Sequence, residues 1–236
     1  MEFEDIIIEE EKGCKILKLP INSSKENMQN KKCDYRILAL MTLYSNRTPN
    51  EISLDEGYEE LYRYIYKNKI EDNMEEIEVL TNNKRDTIIR NIKKLAKLSN
   101  GLITATNSPN GICYYIHYAK DNNYVTIEED ILRTLVNATN SNVIKTYILF
   151  KYLCRNGSKE IHRAYIAEHI GLSPNKNNLR IISDITYVLE RLKLIKKKTK
   201  YKTIILDNDK EQYTKINKYE LCTYKEYIET RMKEKK

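Results

Sequence analysis

Between Asn142 and Asn217 the apolar residues change from helical spacing to alternation, and that change limits the folds open to the chain. Val143, Ile144, Tyr147, Ile148 and Leu153 share one face of a predicted helix, which Arg155-Asn156-Gly157-Ser158 ends. Ile161, Ile166, Ala167 and Ile170 mark a second, shorter helix closed by Gly171. Beyond the polar run from Leu172 to Asn178, six residues recur at helical spacing: Ile181, Ile182, Ile185, Val188, Leu189 and Leu192. The pattern then alternates through Leu194-Ile195, Lys196 to Lys202, Thr203 to Leu206 and Tyr213 to Asn217, predicting two strands joined by a polar turn.

Three helices followed by a β-hairpin is the order of a winged helix-turn-helix. Its parts are specific: "IAEHIGLS" supplies Ala167 at the helix crossing and Gly171 in the turn, and "LERLKLI" leads into the wing. The first half repeats the plan, with helices over Asp34 to Tyr44, Met74 to Leu80 and Thr87 to Ala96. Ile88, Ile89, Ile92, Leu95 and Ala96 align with Ile181, Ile182, Ile185, Val188 and Leu189 at an offset of 93, and Leu102-Ile103 with Leu194-Ile195 at 92. A hairpin follows, Ile103 to Thr106 and Ile112 to Tyr118 around the turn from Asn107 to Gly111. Lead-in strands correspond as well, Lys15 to Pro20 against Asn123 to Glu128.

An insertion near 50–70 carries Tyr58, Leu61, Tyr62 and Ile65, which suggest an extra amphipathic helix in the first copy. The expected fold class is α+β, mainly α with small β-hairpins, with two winged helix-turn-helix domains in tandem. They span 1–120 and 121–218 and meet at a short linker, Ala119 to Asn123. A terminal helix over 219–235 should pack the stripe Leu221, Tyr224, Ile228 and Met232 on the chain's own body.

Six glycines and four prolines argue against an all-β sandwich or a Gly-rich doubly wound fold. The longest apolar runs, Ile6 to Ile8 and Tyr147 to Phe150, fall far short of the roughly 20 residues of a membrane span. The acidic start, Met1 to Asp5, fits neither a secretory nor a mitochondrial signal, so an intracellular protein is expected. Cys14, Cys33, Cys113, Cys154 and Cys222 form no C-x-x-C pair, and His117, His162 and His169 form no metal motif. Phosphate-binding and nucleophile-elbow glycine patterns are missing, and Asp207-Asn208-Asp209 lacks the Gly and Glu of a calcium loop. Neither a cofactor, a metal nor an enzymatic activity is expected.

Charge points to a polyanion. Residues 1–121 hold 18 Lys/Arg against 20 Asp/Glu, and residues 122–236 hold 23 against 14. A winged helix lays its third helix in the major groove, with basic side chains near phosphates and others reaching base edges. In the second copy Ser173, Asn175, Lys176, Asn177, Asn178 and Arg180 stand at the start of that helix. Arg180, Ser183, Asp184 and Tyr187 lie opposite its apolar face, while an Asn-rich turn also suits helix capping. Lys196, Lys197, Lys198, Lys200 and Lys202 fall where the wing begins. The matching first-copy positions are Asn82, Asn83, Lys84, Arg85, Thr87, Arg90, Asn91 and Lys94; acidic residues gather instead in 55–60 and 71–78, where a protein partner is the other reading.

Two such units without a ligand-binding or catalytic domain resemble the initiator proteins of theta-replicating plasmids and the phage replisome organisers of low-GC Gram-positive bacteria. The nearest local likeness is "NVIKTYILFKYL…IAEHIGLS…ITYVLERLKLI", and it is carried by arrangement over most of the chain. The resemblance implies binding of double-stranded DNA at repeated origin sites, helicase or primase components as partners, and a cytoplasmic location with the nucleoid or plasmid. For the terminal helix, pairing of two chains as a homodimer is the alternative to packing on the chain's own body. The alternatives are a transcriptional regulator of a mobile element and a non-enzymatic winged-helix adaptor in chromosome or plasmid maintenance.

Overall fold

The computed structural model describes residues 16–20, 28–30, 33–44, 63–65, 73–98, 103–108, 111–117, 124–205 and 211–234. They form an α+β fold in which helix predominates and strands are confined to small antiparallel sheets. Two compact units result: Met1–Pro20 with Arg36–Thr139, and Ile21–Tyr35 with Asn140–Lys236.

In the first unit, β1 (Ile16–Pro20) pairs with β5 (Tyr124–Glu128), and Leu19 opposite Val125 is buried with it. The two lead-in strands, expected to open separate domains, therefore pair with each other. With them comes α4 (Glu129–Ala138), so the boundary falls at 139/140 where 120/121 was expected. Apart from Arg36 and Thr42 the helix α1 (Tyr35–Leu43) is apolar, and Ile37 to Met41 are buried. Ile77 on α2 (Met74–Thr81) and Ile88, Ile92 and Leu95 on α3 (Arg85–Leu98) add to the core. Arg36 donates to Val136 O at 2.7 Å and to Thr81 O at 3.3 Å, satisfying carbonyls in the last turns of α4 and α2. Arg133 joins α4 to α2 through Glu76, at 2.6 Å.

The strands β3 (Ile103–Ser108) and β4 (Gly111–His117) run further into the turn than expected, pairing to Ser108 and Gly111. Arg63–Ile65 is a strand, β2, paired with β4. Ile65 thus belongs to a sheet, contrary to the inserted helix; a β-branched Ile between Tyr64 and Tyr66 suits a ladder as readily as an amphipathic turn. Tyr58, Leu61 and Tyr62, the linker 119–123, Asp207 to Asp209 and Cys14 lie outside the described residues.

The second unit is built on α5 (Ser141–Leu153). Asn140 caps it, accepting from the Asn142 and Val143 N–H groups. Every residue from Val143 to Phe150 is buried, where one apolar face was expected. Lys145 is among them: its Nζ donates to Asn30 O at 2.9 Å and lies 5.3 Å from the centre of the Tyr35 ring. Phe150 stacks on Tyr219 at 4.6 Å. Then come β6 (Lys159–Ile161), α6 (Arg163–His169), α7 (Lys176–Arg191), the hairpin β7 (Ile195–Ile205) and β8 (Glu211–Leu221), and α8 (Tyr224–Glu234). Ile161 sits in β6 and not in the helix expected to include it. On α8 the buried residue is Tyr227, whereas Met232, expected in the packed stripe, is 65% exposed.

Each unit carries the same motif: a strand, two helices, then a hairpin whose last strand is central, in orders β2-β4-β3 and β6-β8-β7. Buried Ile88, Ile92 and Leu95 correspond to buried Ile182, Thr186 and Leu189. The helices therefore match at an offset of 94, one residue beyond the 93 expected from apolar identity. Counted over the units, net charge is −5 for the first and +12 for the second, a sharper contrast than the two halves show.

Candidate nucleic-acid interface

The turn that aims α7 depends on Gly171. Its φ is +85°, and an added Cβ would meet the Gln29 carbonyl oxygen at 2.0 Å. Leu172 N–H donates to Ala167 O at 2.8 Å, closing α6. Asn175 then caps α7, its Oδ1 accepting Asn178 N–H at 2.9 Å. Asn178 Nδ2 donates to Ser173 O at 2.8 Å, and Asn175 Nδ2 to Ser173 Oγ at 3.1 Å. Ser173, Asn175 and Asn178 are thus engaged with one another as a cap, while Lys176, Asn177 and Arg180 are exposed.

Ile182, Ile185, Thr186 and Leu189 bury one face of α7. Opposite run Arg180, Asp184, Tyr187 and Arg191, with Tyr187 60% exposed. Ile181, grouped with the apolar face from sequence, is 40% exposed on the flank. Ser183 is turned toward α6, where Arg163 Nη1 donates to its hydroxyl at 2.9 Å. Arg191, on the outward face, is a residue that sequence reasoning missed; it lies at i+4 from Tyr187.

The β7–β8 hairpin alternates, but not as a uniform comb. Lys197 points to the inner side toward Glu190, at 3.9 Å, across from buried Tyr219. Thr199 Oγ1 donates to Asn217 Oδ1 at 3.1 Å, and Asn217 Nδ2 to Tyr219 Oη at 3.2 Å, so polar groups continue the core up the hairpin. Burial pushes the Tyr219 hydroxyl up to about 12. Lys196 is held by Glu226 of α8 at 2.6 Å. Lys198 and Lys200 are exposed beyond that anchor, followed by Tyr201 at 69% exposure; the Lys202 side chain lies outside the described residues. Eleven residues at about 3.3 Å each make a strand of roughly 36 Å.

In the first unit, Asn82 closes α2 in the left-handed region at φ 52°. The Asn83 amide donates to Thr81 O at 3.0 Å, a turn role. Arg85 N–H is taken by the Glu78 carboxylate. Lys84, Arg85, Arg90 and Lys94 are exposed, whereas Thr87 and Asn91 are half-buried. The outward stripe of α3 is Asp86, Arg90, Lys93 and Lys97, spaced i, i+4, i+7, i+11; Lys93 and Lys97 were missed because the alignment register was one residue out. Among the described residues, Arg85, Asp86, Ile89, Arg90 and Lys93 line an open depression of about 510 Å³.

Cys33 and Cys154 are buried and burial raises both thiols. His169 stacks on Tyr165 at 3.7 Å. Among the described residues no group of three or more His, Cys, Asp or Glu is placed to hold a metal ion, and no helix is long and apolar enough to cross a membrane. Comparison with protein-family models, curated proteins and solved structures finds no match to the chain.

Proposed function

We propose that the chain is a non-enzymatic, sequence-specific double-stranded DNA-binding protein with two winged helix-turn-helix units. We further propose that it serves as a replication initiator of a plasmid or phage. One observation carries the DNA-binding reading: in a unit of net charge +12, a helix with outward Arg180 and Arg191 runs within three residues into a long hairpin bearing open Lys198 and Lys200. The repetition of the same strand–helix–helix–hairpin order in both units supports two readers in one chain. The initiator role rests on that pairing and on the resemblance to plasmid and phage initiators, with helicase or primase as the partners it implies.

The test is selection of duplexes from a randomised pool by the intact chain, followed by permanganate probing of the enriched site on a supercoiled plasmid beside an AT-rich stretch. Enrichment of directly repeated sites with opening of the adjacent DNA is the expected result. A single palindrome without opening would make the protein a regulator. No duplex preference at all would remove the DNA-binding reading.

A further inference from the structure

Asp184 stands in the middle of the outward face of α7, between Arg180 one turn before it and Tyr187 and Arg191 after it. An exposed Asp inside a helix disfavours helix slightly, so its presence there calls for a compensating contact. None stabilises the fold: among the described residues Asp184 makes no ion pair or hydrogen bond, although other carboxylates nearby do. Glu190 faces Lys197 and Glu226 holds Lys196. The order Arg180 then Asp184 is also the weaker orientation for an i,i+4 pair. The first unit places its acid differently: Asp86 precedes Arg90 on the equivalent stripe, so the two faces carry acid and base in opposite order.

A carboxylate on that face repels phosphate and accepts hydrogen bonds only; of the two amino donors in the major groove, adenine N6 stands beside the N7 acceptor, which repels a carboxylate, so the better match is the N4 amino group of cytosine. We propose that Asp184 is a specificity-determining residue that selects cytosine at one position of the bound duplex. It does so at the expense of affinity for DNA in general. The inference rests on the DNA-binding reading above and names what one side chain of that surface recognises.

Asp184→Asn tests it, because an amide pairs instead with adenine N6 and N7. Duplexes would be enriched from a randomised pool by the intact parent, by Asp184→Asn, and by Glu229→Gln, which removes an exposed carboxylate on α8. The expected result is a parent site with one required cytosine. In Asp184→Asn that position changes to adenine, with a swing of about tenfold in relative affinity. Binding to unrelated duplexes also tightens, and Glu229→Gln keeps the parent site. If Asp184→Asn enriches the same base at every position, or the parent requires no cytosine, the assignment falls while DNA binding stands. If the parent enriches no duplex, both fall.

Discussion

Lys196 Nζ lies 2.6 Å from Glu226 Oε1, tying the root of the β7–β8 hairpin to the first turn of α8. The same carboxylate completes a capping box: its other oxygen accepts Thr223 N–H at 2.9 Å, and Thr223 Oγ1 accepts Glu226 N–H at 3.3 Å. Lys196 first, and the Thr223 amide second, hold the Glu226 carboxyl below its usual 4.5. A depressed carboxyl contributes stability above its unfolded value and loses it as pH falls through the folded one. The Thr223 amide resonance should therefore report an acid step below 4.5, and Glu226→Gln should abolish that step while loosening α8 at neutral pH.

Lys198 and Lys200 are exposed cations of the β7–β8 hairpin. Replacing both with Ala should weaken binding to every duplex alike. It should also flatten the plot of log affinity against log salt by about 1.8, near 0.9 for each phosphate no longer neutralised. Equal slopes for variant and parent would take the hairpin out of the interface.

The outward and capping residues at the start of α7 should separate cleanly. Lys176→Ala with Arg180→Ala is expected to relax sequence preference at an unchanged urea midpoint. Asn175→Ala is expected to lower stability by about 1 kcal/mol through removal of the cap, leaving the selected sequence alone. Urea melts and site selection on the same variants read both.

Gly171→Ala combines left-handed backbone with a collision against the backbone of Gln29, whereas at Gly157, φ +114°, nothing lies within 4 Å of the added carbon. Both changes carry backbone strain on the order of 1–2 kcal/mol. Gly171→Ala should cost clearly more, seen as a larger drop in the urea midpoint. Similar midpoints would mean that the contact with Gln29 is absent in solution.

Burial pushes the Lys145 ammonium down to about 8 from 10.5. Between those values the unfolded chain holds the extra proton, so stability should rise with pH across that window. Cys33, whose thiol is raised by burial, acts in the opposite sense and is removed by Cys33→Ser in both proteins compared. In that background, the parent should gain up to roughly 3 kcal/mol relative to Lys145→Met between the two limits. A constant difference would show a lysine that keeps its ordinary affinity for protons.

Helices α1, α2, α3, α5 and α7 are legible in the sequence because each shows apolar residues, at helical spacing or in a near-continuous run, between polar stops. Elements set by distant partners are not. The three-residue strands β2 and β6 are too short to show a period, and they exist because β4 and β8 offer free edges. The helix α4 escapes a local reading although Ile131, Leu132, Leu135 and Val136 have helical spacing, because the strand pattern before it looks like the start of a second domain. On the candidate interface, the basic positions of α7 and the β7–β8 hairpin are readable as charge. Which of them are engaged depends on contacts that no local pattern reveals: Glu226 thirty residues after Lys196, and the cap formed by Ser173, Asn175 and Asn178.

The stretch Ile21–Tyr35 belongs with the C-terminal body, so the backbone passes between bodies at 20/21, 35/36 and 139/140. A fragment begun at residue 140 would lack both the Asn30 carbonyl beneath Lys145 and the Gln29 peptide against Gly171. No single scission can release either body whole. Recombination that exchanges one for a foreign counterpart must therefore rejoin the gene at three breakpoints together.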